Sequence, residues 1–333
     1  MKLVQLTRLR SVPAPLALFD ASHGQTNWAQ TGFPSRELHT NFAGLTEILC
    51  RRGFQCQSTK RTALTDQLAT CRLLIIPPPT GTYDARRERW RFQRTTRFTR
   101  EEIRAVLSFL RSGGRLLAFG YRFGDSFTET NLGDLCLPLG GRLNDDAVID
   151  VRALRQTDPL HLHFETAAES LWPGWARPGV STVCWRPVAT FTLQPDAIAW
   201  PLALSTGGSC LSFDRTLRRL SFESLPIAVG GHHGAGRFAL FGGPHLFESS
   251  PLGLLTQGDN VRFLHNTLGW LLSDATDEPP PPVWRAGSSV WPGLRELSQV
   301  EADGQREGTI ASVERVLRQT GVLKALSRAK WMP

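Results

Sequence analysis

At 333 residues and 37.0 kDa, the chain is long enough for about two domains, or for one large domain with an appendage. Hydrophobic residues make up 41% and charged residues 20%, enough apolar surface to offset the entropy of ordering, which excludes a disordered or fibrous protein. Thirty-eight basic against thirty acidic residues leave a net charge of +8, and only four of the bases are lysine, so basic contacts are mostly guanidinium forks suited to carboxylate or phosphate.

The first twenty residues carry bases up to Arg10 and then a short apolar stretch broken by Pro13 and Pro15. They lack a small-residue cleavage site, and no long uncharged apolar run exists anywhere, so neither a signal peptide nor a membrane span is predicted. Cys50, Cys56, Cys71, Cys136, Cys184 and Cys210 include no CxxC pair, and several lie inside apolar runs. They read as buried free thiols of a protein in a reducing cytoplasm.

The N-terminal half alternates strand and helix. PLALFDAS (15–22) is a short apolar run ending in polar residues, as a buried parallel strand does. FAGLTEILCRRGF (42–54) spaces Leu45, Ile48 and Leu49 as a helix and stops at Gly53. RLLIIPPP (72–79) is a second strand, ended by its prolines. In 97–114, Thr99 and Glu102 form a capping box, Ile103, Val106, Leu107 and Leu110 form the apolar stripe, and Gly113 and Gly114 end the helix. RLLAFGYRFGD (115–125) is a third strand, breaking at Gly120. This alternation predicts a doubly wound, mainly parallel α/β sheet.

Beyond Asp125 the pattern is less regular, with little periodicity in 158–185. Strands are predicted again at 188–193, 198–204, 210–214, 226–231 and 237–243 as added β-rich segments, the last two joined by HHGAG as a hairpin or sheet edge. NVRFLHNTLGWLL (260–272) is an amphipathic helix that ends a body spanning 1–272. A proline-rich linker follows (273–308), then a C-terminal helical tail (309–331) with Ile310, Val313, Leu317, Leu323 and Leu326 on apolar faces. Such a helix either docks on its own body or binds a partner.

Several collinear blocks resemble the GIFT domain, shared by gliding-motility transporter subunits and an intraflagellar-transport core protein. They are LALFDASHGQTNW, RFTREEIRAVLSFLRSGGRLLAFGYRFGDSF, TNLGDLCLPLGGRLNDDAVID, WRPVATFTL, LALSTGGSCLSFDR and GAGRFALFGGPHLFE, covering roughly 15–272. The resemblance implies a sheet of the class I glutamine amidotransferase-like type and a non-catalytic role as scaffold or adaptor, binding protein partners in a larger assembly. An amidotransferase needs a nucleophilic Cys on a sharp strand-to-helix elbow, with a His and a carboxylate behind it. Here the strand RLLAFG is followed by Tyr121 and Arg122. His245 and Glu248 remain, loosely like the glutaminase His-Pro-Glu; they are the catalytic pair of the alternative reading, a divergent hydrolase, and otherwise His245 caps the last strand.

In such a fold the carboxyl ends of the strands frame a crevice for a small ligand. They present Asp20, Ser22, His23, Thr80, Tyr121, Arg122, Asp125, Asn131 and His245. His161, His163, His232 and His233 match no metal motif, the last two reading as a solvated loop, and no glycine-rich run matches a nucleotide loop, so no metal or cofactor is predicted. The basic excess is local. Residues 84–104 hold eight arginines against four acids, a net of +4, with Trp90 and Phe92 interleaved. The insertion 84–100, through Arg86, Arg87, Arg89, Trp90, Arg91 and Arg94, either binds an anion, nucleic acid or partner, or is a solvated loop packing its Trp; nucleic acid is not favoured.

Overall fold

The computed structural model describes residues 13–23, 42–59, 64–78, 82–84, 89–91, 97–128, 130–150, 164–167, 171, 174–194, 198–205, 210–214, 220–221, 224–249 and 253–274. The first half runs β1 (Leu16–Phe19), α1 (Ala43–Arg51), β2 (Gln55–Ser58), α2 (Leu64–Gln67), β3 (Cys71–Ile76), β4 (Thr82–Asp84), β5 (Arg89–Arg91), α3 (Arg100–Arg111) and β6 (Arg115–Phe119). Two short helices follow, α4 (Gly124–Thr128) and α5 (Leu132–Cys136). Next come β7 (Gly141–Leu143), β8 (Asp146–Asp150), β9 (Phe164–Ala167), β10 (Thr182–Trp185), β11 (Phe191–Leu193), β12 (Ala199–Leu204), β13 (Cys210–Asp214) and β14 (Leu220–Ser221). The last elements are β15 (Pro226–His233), β16 (Gly236–Phe241) and α6 (Asn260–Leu272).

Seven strands form the central sheet in the order β12-β15-β16-β6-β3-β1-β2. The four pairings from β16 to β2 are parallel and the two involving β15 antiparallel, so β15 alone is reversed. The alternation of side chains along each strand builds two cores. Phe19, Leu73, Ile75, Leu117, Phe119 and Phe241 point to the face covered by Leu45 and Leu49 of α1 and Phe263, Leu264 and Leu268 of α6. Leu18, Leu74, Ile76, Leu116, Ala118 and Leu240 point to the opposite face, covered by Leu64 of α2 and Val106, Leu107 and Leu110 of α3. Both faces are buried, which is why these strands read as continuous apolar runs. Pro201 lies in β12 at the end of the strand order, where a missing donor is tolerated.

Several expectations need correction. β2 has no apolar signature because QCQS is the outermost strand and mostly exposed. The HHGAG hairpin exists, but β16 lies inside the sheet rather than at its edge. The stretches lacking periodicity hold β7 to β10, short strands paired in small satellite sheets. At the start of the arginine-rich insertion, Arg89–Arg91 pairs antiparallel with Thr82–Asp84, where the sequence suggested a loop. His232 and His233 end a strand, and the His232 ring packs 5.4 Å from Trp200 and 6.2 Å from Trp270. Cys50 is exposed and Cys56 half-buried, since the helix phase that buries Leu45, Ile48 and Leu49 turns Cys50 outward. The linker beyond Asp274 and the tail carrying Ile310, Val313, Leu317, Leu323 and Leu326 lie outside the described residues, as do His161 and His163.

Candidate functional site

The parallel strands deliver polar residues at their carboxyl ends, where the backbone leaves the ladder. Beyond β1, Asp20 is fully buried and His23 is 2% exposed. Asp20 accepts from Ser22 N at 2.9 Å, Ser22 Oγ at 2.5 Å and Thr59 Oγ1 at 3.2 Å, and faces His23 Nδ1 at 2.7 Å. His23 Nε2 lies 3.4 Å from Glu102, and its ring stacks on Phe98 with centroids 3.8 Å apart. Burial by itself raises the Asp20 carboxyl, but the hydrogen bond and charge of His23 and the donors of Ser22 outweigh it and hold Asp20 below its ordinary value. Burial lowers the imidazole, and the hydrogen bond and charge of Asp20, with the charge of Glu102, raise it overall. Both directions describe one buried ion pair. Ser22 Oγ donates to Asp20 and also lies 3.1 Å from His23 Nδ1, so serine, histidine and aspartate meet in one cluster.

A second cluster stands past β6 and β16. His245 Nδ1 lies 2.8 Å from Glu248, both residues are buried, and the Tyr121 ring meets His245 edge-on at 5.8 Å. The Arg122 guanidinium lies 5.3 Å above Tyr121. Arg186, which the sequence did not single out, joins the group: burial lowers its pKa and the nearby Glu248 charge opposes that fall. Arg186 lies in an irregular stretch after β10, where periodicity gives no warning.

Asp125 and Asn131 serve the loops themselves. Asp125 accepts from Leu132 N at 2.9 Å, Gly133 N at 2.6 Å and Thr130 Oγ1 at 2.6 Å. Asn131 clasps Phe98 through both its backbone groups, at 2.7 and 2.9 Å. Thr80, Arg86, Arg87 and Arg94 lie outside the described residues, and Arg89, Trp90 and Arg91 are placed by backbone alone, on β5.

The turn from β6 into α4 is a sharp strand-to-helix turn. Its residues are Gly120, Tyr121, Arg122 and Phe123, and Phe123 is the one non-glycine residue of positive φ, 63°, among the described residues. Strain at such a turn marks functional sites, yet the side chain carried there is a ring with 2% exposure. Burial pushes the Cys71 thiol up to about 12, Cys184 up to about 11 and Cys136 well above its ordinary value, so none of these is a ready thiolate. Among the described residues no three His, Cys, Asp or Glu side chains are grouped to hold a metal, and no helix is long and apolar enough to cross a membrane.

At the opposite end of the sheet, where β3, β6 and β16 begin, three arginines grip the end of α6. Arg72 and Arg115 bind Asp274, Arg115 also donates to Ser273 O at 3.0 Å, and Arg237 donates to Trp270 O at 2.6 Å. Ser273 and Asp274, the first linker residues by sequence, are therefore tied to the body.

No protein-family model and no curated protein matches the sequence. Among solved structures, the chain is similar to the mmIFT52 N-terminal domain, with 20% identity and a TM-score of 0.60 over 79% of this chain and 100% of that one. It is also similar to a cytoplasmic protein of Salmonella typhimurium LT2 (15% identity, TM-score 0.45, 77% of this chain and 99% of that one). A ThuA-like protein of Bacteroides uniformis matches at 12% identity and a TM-score of 0.40, over 83% of this chain and 98% of that one. The chain is thus a mixed α/β protein with a mostly parallel central sheet, and it has the fold of the GIFT domain that its sequence blocks resemble.

Proposed function

We propose that the chain is a non-catalytic GIFT-type platform, derived from an amidotransferase-like fold, that binds protein partners within a larger assembly. The observation that carries this reading is the elbow without a nucleophile. An amidotransferase sets its Cys on a strained turn between strand and helix. Here that turn holds Phe123 at φ 63°, preceded by Tyr121 and Arg122. The His245–Glu248 pair keeps its 2.8 Å contact, but it has no cysteine or serine on that turn to activate.

In this reading the body, residues 1–272, is a rigid surface, the linker 273–308 is a tether, and the helix 309–331 is a second contact whose effective concentration the tether raises. The arginine-rich hairpin is an additional contact face, and Tyr121, Arg122 and His245 line the crevice where a small ligand would sit.

Native purification of the full-length protein from its own cells tests the proposal. It is expected to elute with partner proteins at constant stoichiometry, well above the 37.0 kDa of one chain. Elution at that mass alone, or an amide or ester hydrolysis that His245→Ala abolishes, overturns it.

A further inference from the structure

Two thiols that the proposed function does not use meet on the surface. Cys50 lies in the last turn of α1 and Cys56 is the second residue of β2. Their Sγ atoms are 4.0 Å apart, with Cys50 exposed and Cys56 half-buried.

The backbone holds them together. α1 ends in a Schellman turn: Phe54 N donates to Leu49 O at 3.1 Å and Gly53 N to Cys50 O at 2.9 Å. Gly53 takes φ 85°, a conformation that favours glycine. The turn reverses the chain so that β2 starts beside the helix it has just left. Gln55 N then donates to Pro15 O at 2.9 Å and Cys56 pairs with Ala17 of β1, which fixes the register of β2. Both cysteines therefore stand on paired backbone, with their sulfurs 4.0 Å apart against the roughly 2 Å of a disulfide bond.

We infer that Cys50 and Cys56 are a redox-active dithiol, which low-molecular-weight disulfides such as glutathione disulfide convert into an intramolecular bridge. Cys50, the exposed partner, loses its proton and attacks one sulfur of glutathione disulfide. The S–S bond breaks, one glutathione leaves and takes up that proton, and a mixed disulfide remains on Cys50. Cys56 then loses its proton and attacks Cys50 Sγ, releasing the second glutathione as a thiol. Two protein thiols are oxidised by two electrons and one glutathione disulfide is reduced to two glutathiones.

The order of the steps follows from the surroundings of Cys56. Burial, and then the charge and hydrogen bond of Cys50, push the Cys56 thiol up to about 12. A thiol so placed is a poor first attacker. Once Cys50 is in the mixed disulfide its share of that rise is gone, and the sulfur to be attacked is already alongside. The bridge would tie the outermost strand of the central sheet to the helix before it.

The test is equilibration of the full-length protein with glutathione disulfide, then iodoacetamide labelling and peptide mapping without reduction. In wild type, labelling of Cys50 and Cys56 is expected to be lost together, with the peptides linked and two hydrogens lighter, while reduction restores both. Cys56→Ser is expected to stop at one glutathione on Cys50, and Cys50→Ser to leave Cys56 free. Wild type that keeps both thiols in excess glutathione disulfide, or that accumulates a stable glutathione adduct on Cys50 beside a free Cys56, overturns the inference.

Discussion

His23 Nδ1 lies 2.7 Å from a carboxylate oxygen of Asp20, and both residues are out of solvent at the end of the first strand. The pair makes stability depend on pH from two sides. Asp20 titrates below its unfolded value, so its contribution is present above the ordinary Asp range and is lost as pH falls through the lowered pKa. His23 titrates above its unfolded value of 6.5, so its contribution is complete below 6.5 and is lost as pH rises through the raised pKa. Urea midpoints are expected to be highest on the acid side of neutrality and to decline toward alkaline pH. His23→Ala should cost on the order of 3 kcal/mol at pH 6, because it removes the cation facing a buried carboxylate, and should flatten the alkaline decline.

Glu102 has two tasks that can be separated. Its carboxylate accepts from Thr99 N and Thr99 Oγ1, both at 2.8 Å, closing the capping box of α3, and it also faces His23. Thr99→Ala should lose about 1 kcal/mol at every pH, the usual cost of an N-cap. Glu102→Gln keeps an acceptor for the cap but removes the charge. Its loss should appear below the raised pKa of His23 and vanish above it, and matched urea curves at pH 6 and pH 9 read the difference.

How much of this was legible in sequence depends on which force sets each feature. The capping box at Thr99 and Glu102 and the helix over 260–272 could be read directly, because local chemistry and apolar spacing determine them. β2 could not, since an exposed outer strand needs no apolar residues and is held by backbone pairing to β1. At the site, Asp20, His23, Tyr121, Arg122 and His245 were legible as polar residues following apolar strands. Their partners Glu102, Phe98 and Arg186 were not, because they arrive from other elements through the tertiary fold. Asp125 and Asn131 look identical in sequence to ligand-facing residues, and only their backbone partners reveal that they hold loops in place.

Two glycines should respond oppositely to one added methyl group. A Cβ on Gly236, at the start of β16, would stand 2.1 Å from Leu110 O and 2.6 Å from Gly114 O, both backbone atoms that cannot move aside cheaply. Gly236→Ala is expected to destabilise by about 3 kcal/mol through overpacking. Gly269, inside α6, has nothing within 4 Å of its added Cβ. Gly269→Ala should stabilise by roughly 0.5–1 kcal/mol through helix propensity. Thermal melts of the two variants, expected to shift in opposite directions, provide the check.

Arg115 decides how the end of α6 is held. It is 4% exposed at the start of β6, and one guanidinium nitrogen donates to Gly113 O at 2.9 Å and Ala235 O at 3.0 Å. The other donates to Ser273 O at 3.0 Å and Asp274 at 3.2 Å, so one planar fork joins the α3–β6 turn, the β15–β16 turn and the chain leaving α6. Arg115→Ala leaves three backbone carbonyls without this donor and should cost roughly 2–3 kcal/mol in urea unfolding. Arg115→Lys should recover little of that loss, because an ammonium is a point donor that cannot span acceptors on both sides of a fork. Asp274→Asn should cost well under 1 kcal/mol, since that carboxylate is 79% exposed. If instead Arg115→Lys matches wild type, the fork geometry is not what secures the end of α6.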